Sequence, residues 1–146
     1  MSARAFADTN VVLYLMSRDA QKAEQARAVV AERPIISVQV LNEITNVARR
    51  KLALPWNEID EFLQLVRGLC PVEPLTLQSH DLGRGLCERY QLSVYDAMIV
   101  SSALLARCDT LYSEDMQAGL RIEKALTIVN PFEDKATPRR AARHRP

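Results

Sequence analysis

Residues 3–15 read ARAFADTNVVLYL and contain the first change from strand to helix along the chain. We predict a short first strand over Ala3–Ala7, then a polar turn, and then an apolar run from Val11 to Leu15. Asp8 and Asn10 both suit the N-cap of a helix, because their short side chains can accept a hydrogen bond from a first-turn N–H. The stretch therefore predicts a turn that leads from a strand directly into a helix.

Short apolar segments alternate with helical segments along the rest of the chain. Further strands are predicted at residues 35–38, 110–113 and 127–129, with an edge strand or extended connection at 69–75. Helices are predicted at residues 20–31, 38–52, 57–69, 80–90 (capped by Ser79) and 93–107, with a short helical turn at 114–119. This alternation predicts an α/β fold in which helices cover both faces of a parallel sheet.

The composition is that of one globular domain followed by a basic tail. The 146 residues are 48% hydrophobic and 25% charged, which excludes a globally disordered chain. The net charge of +1 gives no support to nucleic-acid binding. Residues 133–146 contain five basic and two acidic residues, a net +3, which leaves −2 for residues 1–132. We predict one domain over residues 1–132 and a disordered tail over 133–146.

The cysteines and the hydropathy pattern indicate a cytoplasmic protein. Cys70, Cys87 and Cys108 are odd in number, widely spaced and without a C-x-x-C pair, which excludes a disulfide framework and a zinc-finger pattern. The apolar run near the N-terminus is too short for a signal sequence. No stretch approaches the ~20 apolar residues of a membrane helix, so we expect no membrane attachment.

Two acidic residues lie at the carboxyl ends of predicted strands. Asp8 ends the first strand, and Asp115 follows the strand at 110–113. Ligands of open α/β sheets bind outside the carboxyl ends of the strands, so both positions suit a binding site. A simple N-cap explains Asp8 equally well. Glu114 lies beside Asp115, and the sequence leaves open which of these two acids faces the site.

Two further acidic residues lie on predicted helices. Asp96 is the only charged residue between Arg89 and Arg107, in a segment that is apolar nearly all round and predicts a buried helix. A buried carboxylate costs several kcal/mol unless something pairs with it, and a metal ion would offset that cost. The alternative is a capping box with Ser93. Glu43 lies about 40° outside the apolar stripe of its helix, where an ordinary solvated glutamate is the alternative.

Carboxylates gathered at one end of a parallel sheet would form a metal site. Their hard oxygen ligands suit Mg²⁺ or Mn²⁺. One or two such ions can activate water and stabilise the attacking and leaving oxygens of a phosphodiester displacement. The ions also offset the repulsion between carboxylates and a phosphate backbone. The acids therefore favour metal-dependent phosphodiester hydrolysis.

Four segments contain these acids in order, and together they carry a family resemblance. They are residues 6–12 (FADTNVV), 37–43 (SVQVLNE), 95–100 (YDAMIV) and 111–116 (LYSEDM). In this order and at these separations they resemble the PIN-domain family, from Ala5 to about Phe132. The small size and the lack of added domains resemble its VapC branch, the toxins of prokaryotic VapBC toxin–antitoxin pairs.

The resemblance implies a doubly wound, mainly parallel sheet of five strands in the order 3-2-1-4-5. It also implies a catalytic site made by Asp8, Glu43, Asp96 and Asp115, with Mg²⁺ or Mn²⁺. Asp8, Asp96 and Asp115 would hold the metal directly or through water, and Glu43 would complete the site and position the attacking water. Two polar residues match supporting positions, Asn10 and Ser113.

By the same resemblance the chain is a metal-dependent endoribonuclease that cuts RNA with a metal-activated water. VapC-like toxins form homodimers and are inhibited by a small cognate antitoxin that covers the active site. Such antitoxins bind operator DNA, so the chain would contact DNA only through that partner. The expected partners are RNA, an antitoxin and a second copy of the chain.

Other functional assignments stay open from the sequence. A phosphatase could use Asp8 as a covalent nucleophile, but it would need a second Asp where this chain has Asn10, which removes the general acid. A PIN-like fold could also be a non-catalytic binding or regulatory module. Trp56 is predicted to be a partly buried packing residue, with RNA stacking as the alternative. Trp56 and the helix at 57–69 are the expected contact for an antitoxin or a second copy.

Overall fold

The computed structural model describes residues 4–133. Ala3 and the predicted basic tail, apart from Glu133, lie outside these residues. The tail and the boundary of the domain therefore stay predictions. Within the described part of the chain, none of the helices has the length and apolar character of a membrane span.

The sheet is mainly parallel and has the amino-terminal strand near its centre. The strands are β1 (Ala5–Ala7), β2 (Ile36–Ser37), β3 (Val72–Glu73), β4 (Thr110–Tyr112), β5 (Arg121–Ile122) and β6 (Leu126–Val129). The pairs β1–β4, β4–β6 and β2–β3 are all parallel. A parallel bridge between Phe6 and Ile35 joins β1 to the segment that leads into β2.

This topology confirms the expected α/β fold. From one edge to the other, the parallel strands follow the order β3-β2-β1-β4-β6, which is the implied order 3-2-1-4-5. Sequence reasoning missed β5, which pairs antiparallel with β6. With only two residues, β5 is too short to show the alternation of apolar and polar residues that identifies a strand.

Helices connect the strands at nearly the predicted places. They are α1 (Thr9–Leu13), α2 (Ala20–Ala31), α3 (Val38–Arg50), α4 (Trp56–Leu69), α5 (Leu77–Tyr90) and α6 (Val94–Leu105), with a 3-10 turn over Tyr14–Met16. Asp8 is the N-cap of α1 and accepts a hydrogen bond from Thr9 N at 2.7 Å. The strand-to-helix turn that opens the chain is therefore present as predicted.

Two local predictions are wrong. Helix α5 begins three residues earlier than predicted, because Thr76 is its N-cap and forms a reciprocal capping box with Ser79. Ser79 resembled a cap in the sequence because it is the second member of that box. The helical turn expected at 114–119 does not form: Gly119 N donates to Ile128 O at 2.8 Å, so the segment returns to β6.

Helix α6 has the largest number of buried residues among the described helices. Residues 97–103 are all buried, which confirms the predicted buried helix over that part. Ile99 and Val100 are fully buried, and each contributes about 1.5–3 kcal/mol. Gly83 of α5 permits close packing, since a Cβ there would lie 2.3 Å from Met98 Cε and 3.2 Å from the Ala97 carbonyl oxygen.

Candidate metal centre

The parallel register of β1 and β4 brings Asp8 and Ser113 together at one edge of the sheet. Ala7 lies opposite Tyr112, so the residues that follow them leave the sheet side by side. Ser113 Oγ donates a hydrogen bond to Asp8 Oδ2 at 2.7 Å. Asp115 follows two residues later, at the same carboxyl end of the sheet, where α/β folds bind their ligands.

Asp8 is a buried carboxylate whose negative charge is unfavourable. Only 4% of this residue is exposed. Burial raises the pKa of Asp8 from 3.8 to about 6; hydrogen bonds from Ser113 and from Thr9 N lower it, and the charges of Asp96 and Glu43 raise it. The two hydrogen-bond donors fix the carboxylate in place without neutralising it.

Helix α3 carries Glu43 to the same edge. Ser37, the last residue of β2, caps α3 by accepting a hydrogen bond from Val40 N, so the helix starts directly at the end of the strand. Glu43 Oε1 accepts a hydrogen bond from the Thr9 hydroxyl at 2.6 Å, and Oε2 accepts one from the Gln39 amide at 3.0 Å. Both carboxylate oxygens are therefore oriented by neutral donors.

Asp96 lies where the exposed first turn of α6 meets the buried part of the helix. Ser93 caps α6 by accepting a hydrogen bond from Asp96 N at 3.1 Å. The sequence predicted burial here, but Val94 and Tyr95 are 57% and 66% exposed, and burial begins at Ala97. Asp96 is therefore half-buried, with its side chain at the surface of the cleft.

The carboxylates of the cleft repel one another. Burial raises the pKa of Asp96, and the charges of Glu43 and Asp115 raise it further against a lowering hydrogen bond from Ser93. Asp115 accepts a hydrogen bond from the amide of Asn10. The acids thus share one electrostatic environment although they come from four different parts of the chain.

Five of the six predicted site residues line one open cleft of about 510 Å³. Asp8, Asn10, Glu43, Asp96 and Asp115 all line it. The other lining residues are Thr9, Gln39, Asn42, Asn46, Val47 and Tyr95. Ser113 is fully buried and reaches the site through its hydrogen bond to Asp8. The structure therefore brings together all six residues singled out in the sequence.

Sequence reasoning missed the amide side chains of α3. Gln39, Asn42 and Asn46 line the cleft together with Glu43. Their spacings of three and four residues place them on one helix face. A stripe of amides beside the apolar stripe of this helix was the signal in the sequence. Thr9, which orients Glu43, was also missed.

The donor set fits a hard divalent cation. Within residues 4–133 the salt bridges involve other acids, so none of the four cleft carboxylates has a Lys or Arg partner. Carboxylate oxygens are the ligands that Mg²⁺ and Mn²⁺ prefer. In the same described range no three His, Cys, Asp or Glu side chains stand close enough to hold one ion. Direct contact of three of these carboxylates with one ion would require side-chain rotations that bring them together.

Glu114 does not line the cleft, which answers the question that the sequence left open. Its carboxylate forms a salt bridge with Lys22 Nζ at 2.6 Å and accepts a hydrogen bond from the Tyr14 hydroxyl. Burial acts to raise the pKa of Glu114, but the hydrogen bonds from Lys22 and Tyr14 lower it overall. Asp115 therefore faces the site, and Glu114 ties the loop after β4 to α2 and the 3-10 turn.

Glu114→Gln is expected to lower stability without weakening metal binding. Because the ion pair is partly exposed, we expect a loss of about 1 kcal/mol, or roughly 2–4 °C in Tm. Thermal unfolding with and without Mn²⁺ measures both quantities. Glu24→Gln, which breaks a more exposed pair with Arg27, is the matched control and should change neither. A weaker response to Mn²⁺ in Glu114→Gln would assign Glu114 to the site after all.

Solved toxin–antitoxin proteins share the fold. A toxin–antitoxin complex from Klebsiella pneumoniae has a TM-score of 0.67 at 19% identity, covering 89% of this chain and 99% of that chain. VapBC2 from Rickettsia felis, bound to a promoter DNA fragment, has a TM-score of 0.63 at 18% identity, with 86% and 97% covered. The sarcin-ricin-loop-cleaving toxin VapC20 from Mycobacterium tuberculosis has a TM-score of 0.56 at 18% identity, with 76% and 89% covered.

At identities of 18–19%, these structural matches show a shared fold and no more. The family is shown by a comparison of the sequence with family models. No curated protein matches the chain. The family model described as the PIN domain matches residues 5–121, a span that contains all four acids of the cleft and most of the chain. The chain therefore belongs to the PIN domain family.

Proposed function

We propose that the chain is a metal-dependent endoribonuclease and the toxin of a VapBC-type toxin–antitoxin pair. One observation carries the proposal: four carboxylates that have no cationic partner within residues 4–133 converge in one open cleft of a PIN domain. Such a cleft repels a phosphate backbone until cations bind, and it then presents them to the phosphate. RNA as substrate is supported by the fold relative described as cleaving the sarcin-ricin loop.

The roles proposed for the acids are those that the resemblance to PIN domains implies. Asp8, Asp96 and Asp115 hold Mg²⁺ or Mn²⁺, directly or through water. Bound divalent cations supply an activated water and stabilise the charge that develops on the phosphate oxygens. Glu43 would orient the attacking water, with its carboxylate held in position by the hydroxyl of Thr9.

The supporting residues keep these carboxylates in position. Ser113 donates to Asp8 while its own oxygen accepts a hydrogen bond from Met116 N at 3.2 Å, so its hydroxyl proton is directed at the carboxylate. Asn10 holds Asp115 through its amide. Neither residue carries an acidic or basic group, so both act by positioning the metal ligands.

An antitoxin and a second copy of the chain are the proposed partners. Among the fold relatives are a toxin–antitoxin complex and VapBC proteins bound to DNA. In this chain a groove of about 750 Å³ beside α4 contains Leu52 and Leu65, which are 48% and 53% exposed. We place the contact with an antitoxin there, and contact with operator DNA only through that partner. A cytoplasmic location and a homodimer belong to the same proposal.

The alternative functions have less support. Asn10 donates its amide hydrogen to Asp115 and has no acidic proton for a leaving group, which disfavours a phosphatase with Asp8 as nucleophile. A purely structural role for the acids would favour pairing with Lys or Arg, as Glu114 is paired with Lys22. The acids of the cleft have only neutral donors among the described residues.

The test is cleavage of a mixed cellular RNA pool by the antitoxin-free, full-length protein. Discrete cuts are expected with Mg²⁺ or Mn²⁺ and none with EDTA, and the new ends should carry 5′-phosphates. No cutting of any RNA by folded, metal-bound protein would favour the non-catalytic module instead.

Mn²⁺ is expected to raise the Tm of the protein. A ligand that binds only the native state at one hundred times its Kd stabilises it by about 2.7 kcal/mol. For a chain of this length the gain corresponds to roughly 5–10 °C. Differential scanning calorimetry in EDTA and in Mn²⁺ measures it, and Asp8→Asn should lose most of the shift. An equal shift in Asp8→Asn would place the bound ion elsewhere.

A further inference from the structure

Trp56, the first residue of α4, is exposed rather than partly buried as the sequence predicted. Its exposed fraction is 55%. Aromatic side chains contribute strongly to cores and interfaces because of their large apolar area. An exposed indole therefore indicates a binding surface when the residues around it could also contact a ligand. Isolated exposed apolar residues are common, so the neighbours of Trp56 decide the matter.

Arg49 at the end of α3 holds the indole in a fixed arrangement. Its guanidinium carbon lies 4.9 Å from the centre of the Trp56 ring. Arg49 Nη1 also donates a hydrogen bond to the Leu54 carbonyl oxygen at 3.1 Å, which anchors the side chain. A positioned guanidinium next to an exposed indole is an arrangement on which a nucleobase can stack.

The pair is continuous with the cleft that contains the acids. Asn42 and Asn46 line that cleft and also line an adjoining groove of about 340 Å³. The adjoining groove ends at Arg49, Arg50 and Trp56. A strand that lies across the carboxylates therefore has an open path along α3 to the indole.

The length of this path suits a few nucleotides. Glu43 and Arg50 are seven residues apart on α3, or about 10 Å at 1.5 Å per residue. At a rise of ~3.4 Å per nucleotide in a stacked strand, this is about three nucleotides. The groove therefore lies next to the bond that would be cut.

Three consecutive basic residues lie at the C-terminal end of α3. Arg49, Arg50 and Lys51 form no salt bridge with an acid within residues 4–133. Of the acids in the first half of α4, Glu58 and Glu61 line the separate groove beside Leu65. Asp60 is exposed one turn after Trp56 and lines neither of the two grooves. Unpaired arginines next to an open aromatic ring match the phosphates and bases of a single strand.

We infer that Arg50 and Trp56 form a subsite for single-stranded RNA beside the cleft. Arg50 contacts a backbone phosphate, a base stacks on Trp56, and Arg49 orients the indole. The inference rests on the proposed function in one respect, that the strand cut in the cleft is RNA. A protein partner could also cover a tryptophan, but unpaired cations and the shared groove favour a polyanion.

Trp56 reports on the subsite directly, because it is the only tryptophan in the sequence. The Asp96→Asn background keeps the RNA intact during a titration with a mixed-sequence, single-stranded 12-mer. Saturable quenching of the indole emission is expected. A duplex of the same sequence, whose bases are already stacked, should quench it much less.

Two substitutions in the same background separate stacking from charge. Trp56→Ala should weaken binding of the fluorescein-labelled 12-mer roughly five- to hundredfold. Arg50→Gln should lower the slope of log K against log salt by about 0.7, the contribution of one phosphate contact. The matched controls change the exposed residues Leu77 and Arg84 of α5. Leu77→Ala should leave the affinity for the 12-mer unchanged. Arg84→Gln should leave the slope of log K against log salt unchanged.

The outcomes for the subsite and for the nuclease can be told apart. RNA binding with unchanged emission and with full affinity in Trp56→Ala would overturn the subsite and indicate a protein partner for this patch. If the native protein also cuts RNA, the nuclease proposal survives that loss. Quenching by RNA without any cutting in the native background would keep the subsite and reject the nuclease. In an active protein, Trp56→Ala should raise KM far more than it lowers kcat.

Discussion

Asp96→Asn is expected to abolish metal-dependent RNA cleavage and leave the fold intact. The substitution keeps the size of the side chain, and the hydrogen bond that caps α6 comes from the backbone N–H, which remains. It removes one of the negative charges that must hold the cation, at a position where Glu43 and Asp115 are close enough to perturb the pKa. We expect a loss of about a thousandfold in kcat/KM, or about 4 kcal/mol in the activation barrier.

The control for this variant is Asp81→Asn, which makes the same change on the exposed surface of α5. Both proteins should unfold at temperatures within a few degrees of the native one, and only Asp96→Asn should lose the discrete cuts. Cutting at equal rates by the native protein and Asp96→Asn would assign the activity to a contaminant or to a different site.

Asp8→Asn is expected to stabilise the metal-free protein although it inactivates it. Asp8 is buried, and burial raises its pKa from 3.8 to about 6. That difference corresponds to a cost on the order of 3 kcal/mol for keeping the carboxylate charged at pH 8. An amide avoids this cost, although the changed hydrogen bond with Ser113 lowers the gain in stability by about 1 kcal/mol.

The raised pKa of Asp8 determines how the stability of the native protein changes with pH. The native state binds the Asp8 proton more tightly than the unfolded chain does, so the stability of the native protein falls as the pH rises from about 4 to about 6. Below pH 4 both states are protonated and the cost disappears. Asp8→Asn should therefore have the higher Tm at pH 8 in EDTA and lose its advantage near pH 4.

Calorimetry from pH 4 to pH 8 in EDTA measures the difference, with Asp81→Asn as the exposed control that should show none. A lower Tm of Asp8→Asn at pH 8 would show that the buried carboxylate is compensated within the protein. Saturating Mn²⁺ should reverse the order of the two proteins, because only the native chain keeps its complete set of ligands.

The fold could be predicted from the sequence because its signals are local. The strand-to-helix turn at Asp8 follows from an apolar segment, a capping residue and a second apolar segment within a dozen residues. The alternation of strands and helices then requires a parallel sheet. Boundaries were less predictable, since Thr76 and Ser79 cap α5 together and either residue type suits an N-cap.

The grouping of the site residues could be predicted for a similar reason. Carboxyl ends of parallel strands meet at one edge of a sheet, which places Asp8 beside Ser113. Their roles as metal ligands stay a proposal. Glu114 and Asp115 could not be told apart in the sequence, because Lys22, the residue that pairs with Glu114, lies 92 positions away.

The class of fold, the order of most of its elements and the candidate acids of the site could all be read from the sequence. These follow from periodicities of two and 3.6 residues and from the residue types at the ends of the elements. The packing of distant segments was needed to show that Asp115 rather than Glu114 faces the cleft and that Trp56 is exposed beside Arg49. Ion pairs, cleft walls and exposure depend on which distant segments pack together, and no pattern within a single segment contains that information.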